Sequence, residues 1–582
     1  MKTNEKPTAL SFLRYAFLAL LLMAFSCSPD TVVESDNLES SDARSKNKND
    51  GKSANAVLKT VVKGATLRGA NGVDIGPDGN LYIASVYGQE IVVMDKNNGR
   101  IIDRITEGVQ SPDDLVFGPD GSLYWTDIIT GEVGRRTPDG TVTKQAFLPG
   151  VNPIAFNDDG RLFIALDFLG DGLYEFDPEF TDTPRTIIEC PTGFCLGFFN
   201  SFDFGPDGLL YGPLFALGEI IKVNVETGDR ETVASGFVNP AAAKFGPDGL
   251  LTVLDQTGEV FKIDVTTGEK VLFTTLEPGL DNMVFDEDGS LYMTNNDEGW
   301  VAEILPSGQA RILSPGGQIM PQGLAVLAGP NNQDVVYAAD IYNVREYNGT
   351  SGRQTDQYKG FLIPPPGIFS LPLSNGISAD GSDLIVSSFL SSTVQVWNPI
   401  DGITEDFSAQ VAAPMDAVRI NSGEVIVSDL GLGGVVRMSD NSLVAPLVVA
   451  SGMAADGETV WAADWATGDI VQINFGGGSP TTEVVFSGLS FPEGMAVDNE
   501  GRLLVYETKG PSPAGVSRLS RIDLSTGERT TIVDGLEPIE GSLPIFPPQW
   551  FINDVAVGPS GDIYISGSES NTIQKITANK VR

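Results

Sequence analysis

A pattern of about forty residues, present in twelve copies, constrains the fold of this chain more than any other feature. Most copies begin with a polar residue, continue as a short apolar strand, turn at an Asp-Gly or similar pair, and return as a second strand such as LYIAS. The copies begin at Asn71, Asp113, Asn152, Asn200, Ala241, Asp281, Gln322, Asn375, Asp416, Ser451, Glu493 and Asn553. Two more strands follow most hairpins, so each copy predicts a four-stranded propeller blade.

The number of blades predicts two rings. Twelve blades around one axis would leave a very wide channel, whereas propellers usually close at roughly four to eight blades. No segment beyond the N-terminal region has the pattern of a long amphipathic helix. We therefore expect an all-β fold of two tandem six-bladed β-propellers, the first over residues 56–309 and the second over residues 310–582.

The ends of the repeat region predict an exchange of strands. Val57–Val62 (VLKTVV) precedes the first copy, and the last copy ends near Ile576 without a fourth strand. We expect Val57–Val62 to close the blade of Asp281 and Ala310–Ser314 (ARILS) to close the blade of Asn553. Such an exchange would leave neither ring with an open edge.

The N-terminus has the pattern of an export signal. Residues 1–26 combine a basic start with the apolar run Tyr15–Phe25, and Ala24-Phe25-Ser26-Cys27 resembles a bacterial lipobox. Residues 27–55 are polar and predict a disordered tether. We expect a protein of the bacterial cell envelope, lipid-anchored through Cys27 at the outer membrane, the cell surface or the periplasmic face. The alternative is an ordinary signal peptide with a chance cysteine.

The composition excludes several chemistries. The chain has no histidine, which removes Ser-His-Asp and Cys-His catalysis and histidine-bound metals. A formal net charge of −40 disfavours nucleic acid as a partner. Export permits a disulfide between Cys190 and Cys195, which we favour over metal binding because two thiolates alone make a poor site.

The openings of three blades resemble a known family. Glu493 stands in PEG, Asn375 in SNG and Asp416 in PMD. These motifs resemble those of the six-bladed superfamily of gluconolactonases, senescence marker protein and luciferin-regenerating enzyme, and NHL-type repeats are a close second. The resemblance implies a divalent cation, usually Ca²⁺, bound on the axis of the second ring by Glu493, Asn375 and Asp416. It also implies hydrolysis of a lactone or related ester.

The same resemblance assigns roles to further residues. The cation would polarise the carbonyl, Asp416 would activate water, and Gln322 and Asn553 would orient the substrate. Two long loops rich in proline and aromatic residues precede Asn375 and Asn553, and they carry Phe369 and Trp550. We expect these loops to wall a pocket for a small neutral or lactone-like ligand.

Other interpretations stay open. Asn and Asp at the start of innermost strands also hydrogen-bond neighbouring blades, and the long loops could instead pack between the rings or onto another protein. The first ring offers Asp281, Asn152 and Asn200, for which we favour a structural role. The alternative function is a non-enzymatic surface propeller, expected to be a monomer, that binds a protein or a glycan.

Overall fold

The computed structural model describes residues 56–577, apart from residues 192, 362, 364–370, 509–516 and 537–552. This part of the chain forms twelve antiparallel sheets of four strands each, with two short 3-10 turns at Pro330–Asn332 and Ser408–Gln410. The predicted all-β fold of twelve blades is therefore confirmed. Within the described ranges no helix is long and apolar enough to span a membrane. The predicted export signal, Cys27 and the predicted tether lie outside the described residues.

In the first six blades the chain runs from the innermost to the outermost strand without interruption. Blade by blade, the strands are Val73–Ile75, Leu81–Ser85, Glu90–Met94 and Ile101–Ile105; Pro112–Phe117, Leu123–Asp127, Glu132–Arg136 and Val142–Ala146; Val151–Phe156, Leu162–Leu166, Gly172–Phe176 and Arg185–Glu189; Asp203–Phe204, Leu210–Leu214, Glu219–Val223 and Arg230–Ser235; Pro240–Phe245, Leu251–Asp255, Glu259–Asp264 and Glu269–Thr275; Leu280–Phe285, Leu291–Asn295, Trp300–Ile304 and Ala310–Ser314.

Blades 7 to 11 follow the same order, and blade 12 takes its fourth strand from the N-terminus. Their strands are Leu324–Ala328, Asp334–Asp340, Asn343–Asn348 and Gln354–Lys359; Gly376–Asp380, Asp383–Ser388, Thr393–Asn398 and Gly402–Asp406; Pro414–Arg419, Val425–Asp429, Gly434–Arg437 and Ser442–Pro446; Ala450–Asp456, Thr459–Asp464, Asp469–Asn474 and Thr481–Phe486; Pro492–Val497, Leu503–Glu507, Ser517–Asp523 and Glu528–Leu536; Val555–Val557, Ile563–Gly567, Thr572–Ile576 and Lys59–Lys63.

Each set of six blades closes into a ring. The innermost strands of blades 1 and 6 pack against each other, as do those of blades 7 and 12. In the first ring the hydroxyl of Thr294 in blade 6 donates a hydrogen bond to the backbone oxygen of Asn71 in blade 1. In the second ring the N–H of Leu324 in blade 7 donates to Asp554 in blade 12 at 2.9 Å. Closure leaves the innermost strands facing a central axis in both propellers.

The predicted exchange of two strands is wrong, because only one strand is exchanged. The N-terminal strand Lys59–Lys63 pairs antiparallel with Thr572–Ile576 and closes blade 12. Ala310–Ser314 pairs with Trp300–Ile304 inside the blade of Asp281. That blade is already complete with four consecutive strands, whereas blade 12 ends one strand short, so a single donated strand satisfies both rings. Blade 6 therefore continues past residue 309, and the second propeller includes the start of the described chain.

The two propellers face each other with equivalent rims. In an antiparallel blade the innermost strand starts and the second strand ends at the same rim, which we call the leading rim. Tyr87 and Ile128 follow the second strands of blades 1 and 2, and Ile341 and Phe389 follow those of blades 7 and 8. These four side chains share one apolar cluster with Met415 of blade 9. The leading rims of the first and second propellers are therefore packed together along one side.

A buried ionic network joins the rims at blades 6 and 7. Arg345 is fully buried and pairs with Asp340 of its own blade at 2.5 Å and with Glu298 of the first propeller at 2.8 Å. Lys359 pairs with Asp297 of the first propeller at 2.6 Å. Because buried charges are stable only when they are paired, this network fixes the two rings against each other.

Candidate functional site

Each blade of the second propeller places one residue at an equivalent position on the leading rim. We call it the axial position, and it lies two residues before the first apolar residue of the innermost ladder. Glu493, for example, precedes Met495, which pairs with Val505 of the second strand. The axial residues, in blade order, are Gln322, Asn375, Met415, Ser451, Glu493 and Asn553.

The prediction that Asp416 occupies the same position as Glu493 and Asn375 is wrong by one residue. In blade 9 the ladder pairs Asp416 with Ser428 and Ala417 with Val427, so Met415 takes the axial position. Successive side chains of a strand point to opposite faces, and a slip of one residue therefore redirects the side chain. Alignment of PMDA with PEGM on their shared proline would have revealed this slip.

Asp416 links two blades instead. Its Oδ1 accepts the N–H of Ala417 at 2.7 Å, and its Oδ2 accepts the N–H of Met453 in blade 10 at 2.8 Å. Burial is the main cause that raises the pKa of Asp416 to about 6. Asp114 in the first propeller makes the same pair of backbone contacts, at 2.9 and 3.2 Å. This inter-blade role is the structural interpretation that the sequence left open.

The axial residues other than Met415 are buried polar groups with unused hydrogen-bonding atoms. Gln322, Asn375, Ser451, Glu493 and Asn553 all have 0% exposed surface. Among the described residues, no partner is found for both amide atoms of Gln322, the amide nitrogens of Asn375 and Asn553, the Ser451 hydroxyl, or Oε1 of Glu493. Buried polar atoms are rarely left unpaired, so these atoms mark a place for water or a ligand.

The orientations of the two axial asparagines are fixed by their neighbours. Oδ1 of Asn375 accepts the N–H of Phe389 at 2.9 Å. Oδ1 of Asn553 accepts the N–H and the hydroxyl of Ser568 at 3.0 and 3.1 Å. Because only the oxygen of a side-chain amide accepts hydrogen bonds, the amide nitrogens are the atoms left unpaired. Both asparagines therefore offer hydrogen-bond donors.

Glu493 lies between polar and aromatic neighbours. Its Oε2 accepts the N–H of Asn553 at 3.0 Å. Burial raises the pKa of Glu493 well above its usual range, and the nearby carboxyl of Asp554 adds to this rise. The indole N–H of Trp465, which favours the charged form of Glu493, does not complete a hydrogen bond among the described residues. The ring of Trp465 lies 4.5 Å from that of Phe491, and the sequence prediction missed this aromatic pair.

The donor set does not fit the predicted calcium ion. Ca²⁺ is bound by six to eight oxygens, usually including several carboxylates. The axial positions of the second propeller supply one carboxyl, Glu493, whose charged form burial disfavours, and a thioether, Met415. Both oxygens of Asp416 already accept backbone hydrogens. We therefore derive no chemical step through an ion at these residues, and calcium at this position stays a prediction.

One of the long loops contacts the first propeller. Phe361 is buried, and Ile363 packs against an apolar cluster that includes Phe168 and Phe215 of the first propeller. The described part of this loop thus packs between the rings. Phe369 and Trp550, predicted to contact the substrate, lie outside the described residues.

Cys190 and Cys195 form a disulfide with a Cα–Cα distance of 5.4 Å. Asp171 lies beside it and could be mistaken for a third metal ligand. Its Oδ2, however, accepts the N–H groups of Cys195, Leu196 and Gly197 at 2.6 to 3.0 Å. The cluster is therefore a turn held by a disulfide and by hydrogen bonds to Asp171, and not a metal site.

The architecture defines the chain as a tandem double β-propeller. No family model matches the sequence, and no curated protein does either. A streptogramin B lyase structure is similar at 17% identity and a TM-score of 0.37, covering 50% of this chain and 96% of the lyase. The extracellular domain of a putative one-component system from B. thetaiotaomicron is similar at 11% identity and a TM-score of 0.32, covering 90% and 83%. At these values the likeness carries no argument about function.

Proposed function

We propose that this protein is an exported, non-enzymatic propeller that binds a neutral, hydroxyl-rich ligand, such as a segment of a glycan, on the axis of its second propeller. The observation that carries the proposal is the set of five buried axial side chains with unused polar atoms. An unpaired buried polar atom costs about 1–3 kcal/mol, so a ligand that pairs several of them gains affinity by removing this cost.

The chemistry of the site favours a neutral ligand. The amides of Gln322, Asn375 and Asn553 and the hydroxyl of Ser451 carry no charge, and burial favours the neutral form of Glu493. The formal net charge of −40 disfavours an anion. Sugar hydroxyls both donate and accept hydrogen bonds, which matches a site that contains amide groups, a hydroxyl and a carboxyl group.

We expect the ligand to approach the site over blades 10 and 11. The apolar and ionic contacts with the first propeller described above come from blades 7, 8 and 9. Trp465 and Phe491 belong to blades 10 and 11, and none of those contacts involves them. A ligand would approach over this aromatic pair, whose apolar faces suit the C–H face of a sugar ring.

Affinity measurements on variants test the proposal. Calorimetric titration of the mature chain with neutral glycans should identify a ligand, and Asn375→Ala should weaken its binding about tenfold, equivalent to about 1.4 kcal/mol. Asn200→Ala, at the axial position of a blade in the first propeller, is the matched control and should bind normally. A ligand whose affinity is reduced only by the first-propeller variant would refute the assignment.

A second measurement addresses the hydrolase implied by the family resemblance. Lactones should be screened with and without chelator, for the wild type and Asp416→Ala. The proposal expects no turnover. Lactone hydrolysis that is lost both with chelator and in Asp416→Ala would replace it with the hydrolase.

We also propose that the protein is anchored in the bacterial cell envelope through a lipid on Cys27, on the strength of the export pattern in residues 1–27. Labelled palmitate should be incorporated into the wild type and not into Cys27→Ser. Equal labelling of the two proteins, or none of the wild type, would contradict the anchor.

A further inference from the structure

An aspartate at the end of the second strand holds the loop that enters the innermost strand in several blades. These aspartates are Asp127, Asp255, Asp340, Asp429 and Asp464. Each accepts the N–H groups of two consecutive residues of the loop. Asp429, for example, accepts those of Ala412 and Ala413 at 2.8 and 2.9 Å. Two bonds therefore hold each of these loops against the second strand.

Blade 11 departs from this pattern, because Glu507 takes the place of the aspartate. Glu507 accepts the N–H of Ser490 at 2.8 Å, and no hydrogen bond from the next residue, Phe491, to Glu507 is found among the described residues. The carboxylate also pairs with Arg529 at 2.8 Å and with Arg518 at 3.2 Å. Glu507 thus holds the loop by one bond instead of two.

Phe491 adopts a backbone conformation that its sequence context disfavours. Its φ is +41°, in the left-handed region, although it carries a bulky side chain and precedes Pro492. A residue before proline is normally extended, and a left-handed phenylalanine is strained. The equivalent residues Ser111, Asn239 and Ala413 also precede proline, and none of these three described residues has a positive φ. The strain thus coincides with the exchange of aspartate for glutamate.

The strained conformation brings two aromatic rings together beside the axial site. The ring of Phe491 lies 4.5 Å from that of Trp465, at an angle of 46°. The backbone N–H of Trp465 donates to the oxygen of Val449 at 2.9 Å, which fixes the second ring. Phe491 lies two residues before Glu493, and the indole N–H of Trp465 is near enough to that carboxyl to favour its charged form. Strained residues of this kind concentrate at functional sites.

We propose that Glu507 is a positioning residue of the glycan site. By holding only Ser490, it lets Phe491 turn its ring onto Trp465, and the pair forms a platform for the C–H face of a neutral sugar ring. Glu507 has 0% exposed surface, so it acts through Ser490 and Phe491 and not on the ligand itself. This inference rests on the proposed function, because the platform and the axial residues serve the same ligand.

Restoring the aspartate tests the positioning without any ligand. In Glu507→Asp the shorter carboxylate can accept both loop N–H groups, as Asp429 does, and Phe491 should move away from Trp465. In protein with isotope-labelled tryptophan, the indole NMR signal of Trp465 is assigned with Trp465→Phe. That signal should shift in Glu507→Asp and in Phe491→Gly, because both variants remove the ring current of Phe491. An unchanged signal in Glu507→Asp would overturn the inference, whatever the protein binds.

Binding of neutral trisaccharides tests the platform. The probes are cellotriose, laminaritriose, maltotriose and triacetylchitotriose, titrated into the mature chain. The probe that binds the wild type best and is sensitive to Asn375→Ala should bind Glu507→Asp and Phe491→Gly about tenfold more weakly. Phe491→Gly removes the ring at a position where glycine accepts the positive φ, so its weaker binding would not reflect a strained backbone.

The matched control is Asp255→Glu, which makes the reverse exchange in the first propeller and should bind the same probe like the wild type. A probe that is sensitive to Asn375→Ala but binds Glu507→Asp as tightly as the wild type would overturn the inference and leave the proposed function standing. Equal weakening in Asp255→Glu and Glu507→Asp would also overturn it. If no probe binds, or none is sensitive to Asn375→Ala, the proposed function fails for these sugars and the inference falls with it.

Discussion

Replacing Arg345 with methionine should destabilise the protein more than any other single change of a charged residue described here. The guanidinium is fully buried and contacts both propellers. It pairs with Asp340 and Glu298, and its Nη2 also donates to the backbone oxygen of Asp297 at 3.3 Å. Methionine fills a similar volume and removes all of these contacts.

The expected loss of stability follows from the two carboxylates that would remain after the substitution. Asp340 and Glu298, which are 0% and 3% exposed, would stay buried without the cation between them. Removing one partner of a buried ion pair costs about 3–5 kcal/mol, because the other charge is left uncompensated. A propeller of this size loses roughly 2–4 °C in melting temperature per kcal/mol, so we expect a fall of roughly 6–20 °C.

Scanning calorimetry can measure this effect. The wild type should melt with coupled transitions of the two rings, and Arg345→Met should separate them. Arg419→Met is the control, since Arg419 pairs with Asp380 and Glu405 inside the second propeller near the surface and should cost about 1 kcal/mol or less. If the two variants shift the melting temperature equally, the assignment of Arg345 as the link between the rings is refuted.

Three further predictions concern closure, pH and the disulfide. Deleting the chain through Lys63 should leave blade 12 with an open edge, so that limited proteolysis degrades the second propeller and spares the first. Asp416 has a folded pKa of about 6, above the unfolded value of about 3.9, so the stability it contributes is complete below about pH 4 and is lost as the pH rises to 6. Urea unfolding of Asp416→Asn should show a smaller loss of stability over this range than the wild type, by at most about 3 kcal/mol; an unchanged slope would contradict the assignment. Reducing the disulfide between Cys190 and Cys195 should destabilise the first propeller by about 2 kcal/mol, measured by melting with and without reductant, and no shift would contradict this value.

The sequence predicts the blades well because their tight turns require residues, chiefly glycine, that accept a positive φ. Gly79 and Gly121 both adopt φ of +78°, which glycine accepts readily, so each Asp-Gly pair fixes a hairpin and thereby the count of blades. The pairing of the surplus N-terminal strand is a different problem. The sequence shows that the last copy lacks a fourth strand, but it does not show whether Val57–Val62 or Ala310–Ser314 supplies it.

The candidate sites depend on register and on context that a motif does not contain. Asp416 and Met415 are adjacent in sequence. The family motif predicts that the carboxylate of Asp416 faces the axis, but the strand register of blade 9 places the thioether of Met415 there. Glu507 ends its strand as Asp127 does, and only its hydrogen bonds reveal that it holds one backbone N–H of the entering loop instead of two. Local patterns thus predict where a residue lies in a blade and not what its side chain binds.

The pairing of Lys59–Lys63 with Thr572–Ile576 also sets an order of assembly. All six sheets of the first propeller are complete once Ser314 has been synthesised, so that ring can form early. The second ring cannot close until Thr572–Ile576 has been synthesised, and Lys59–Lys63 stays unpaired until then. A chain truncated before Thr572 would therefore present one finished ring beside one that cannot close, a product that proteases could recognise by its exposed edge.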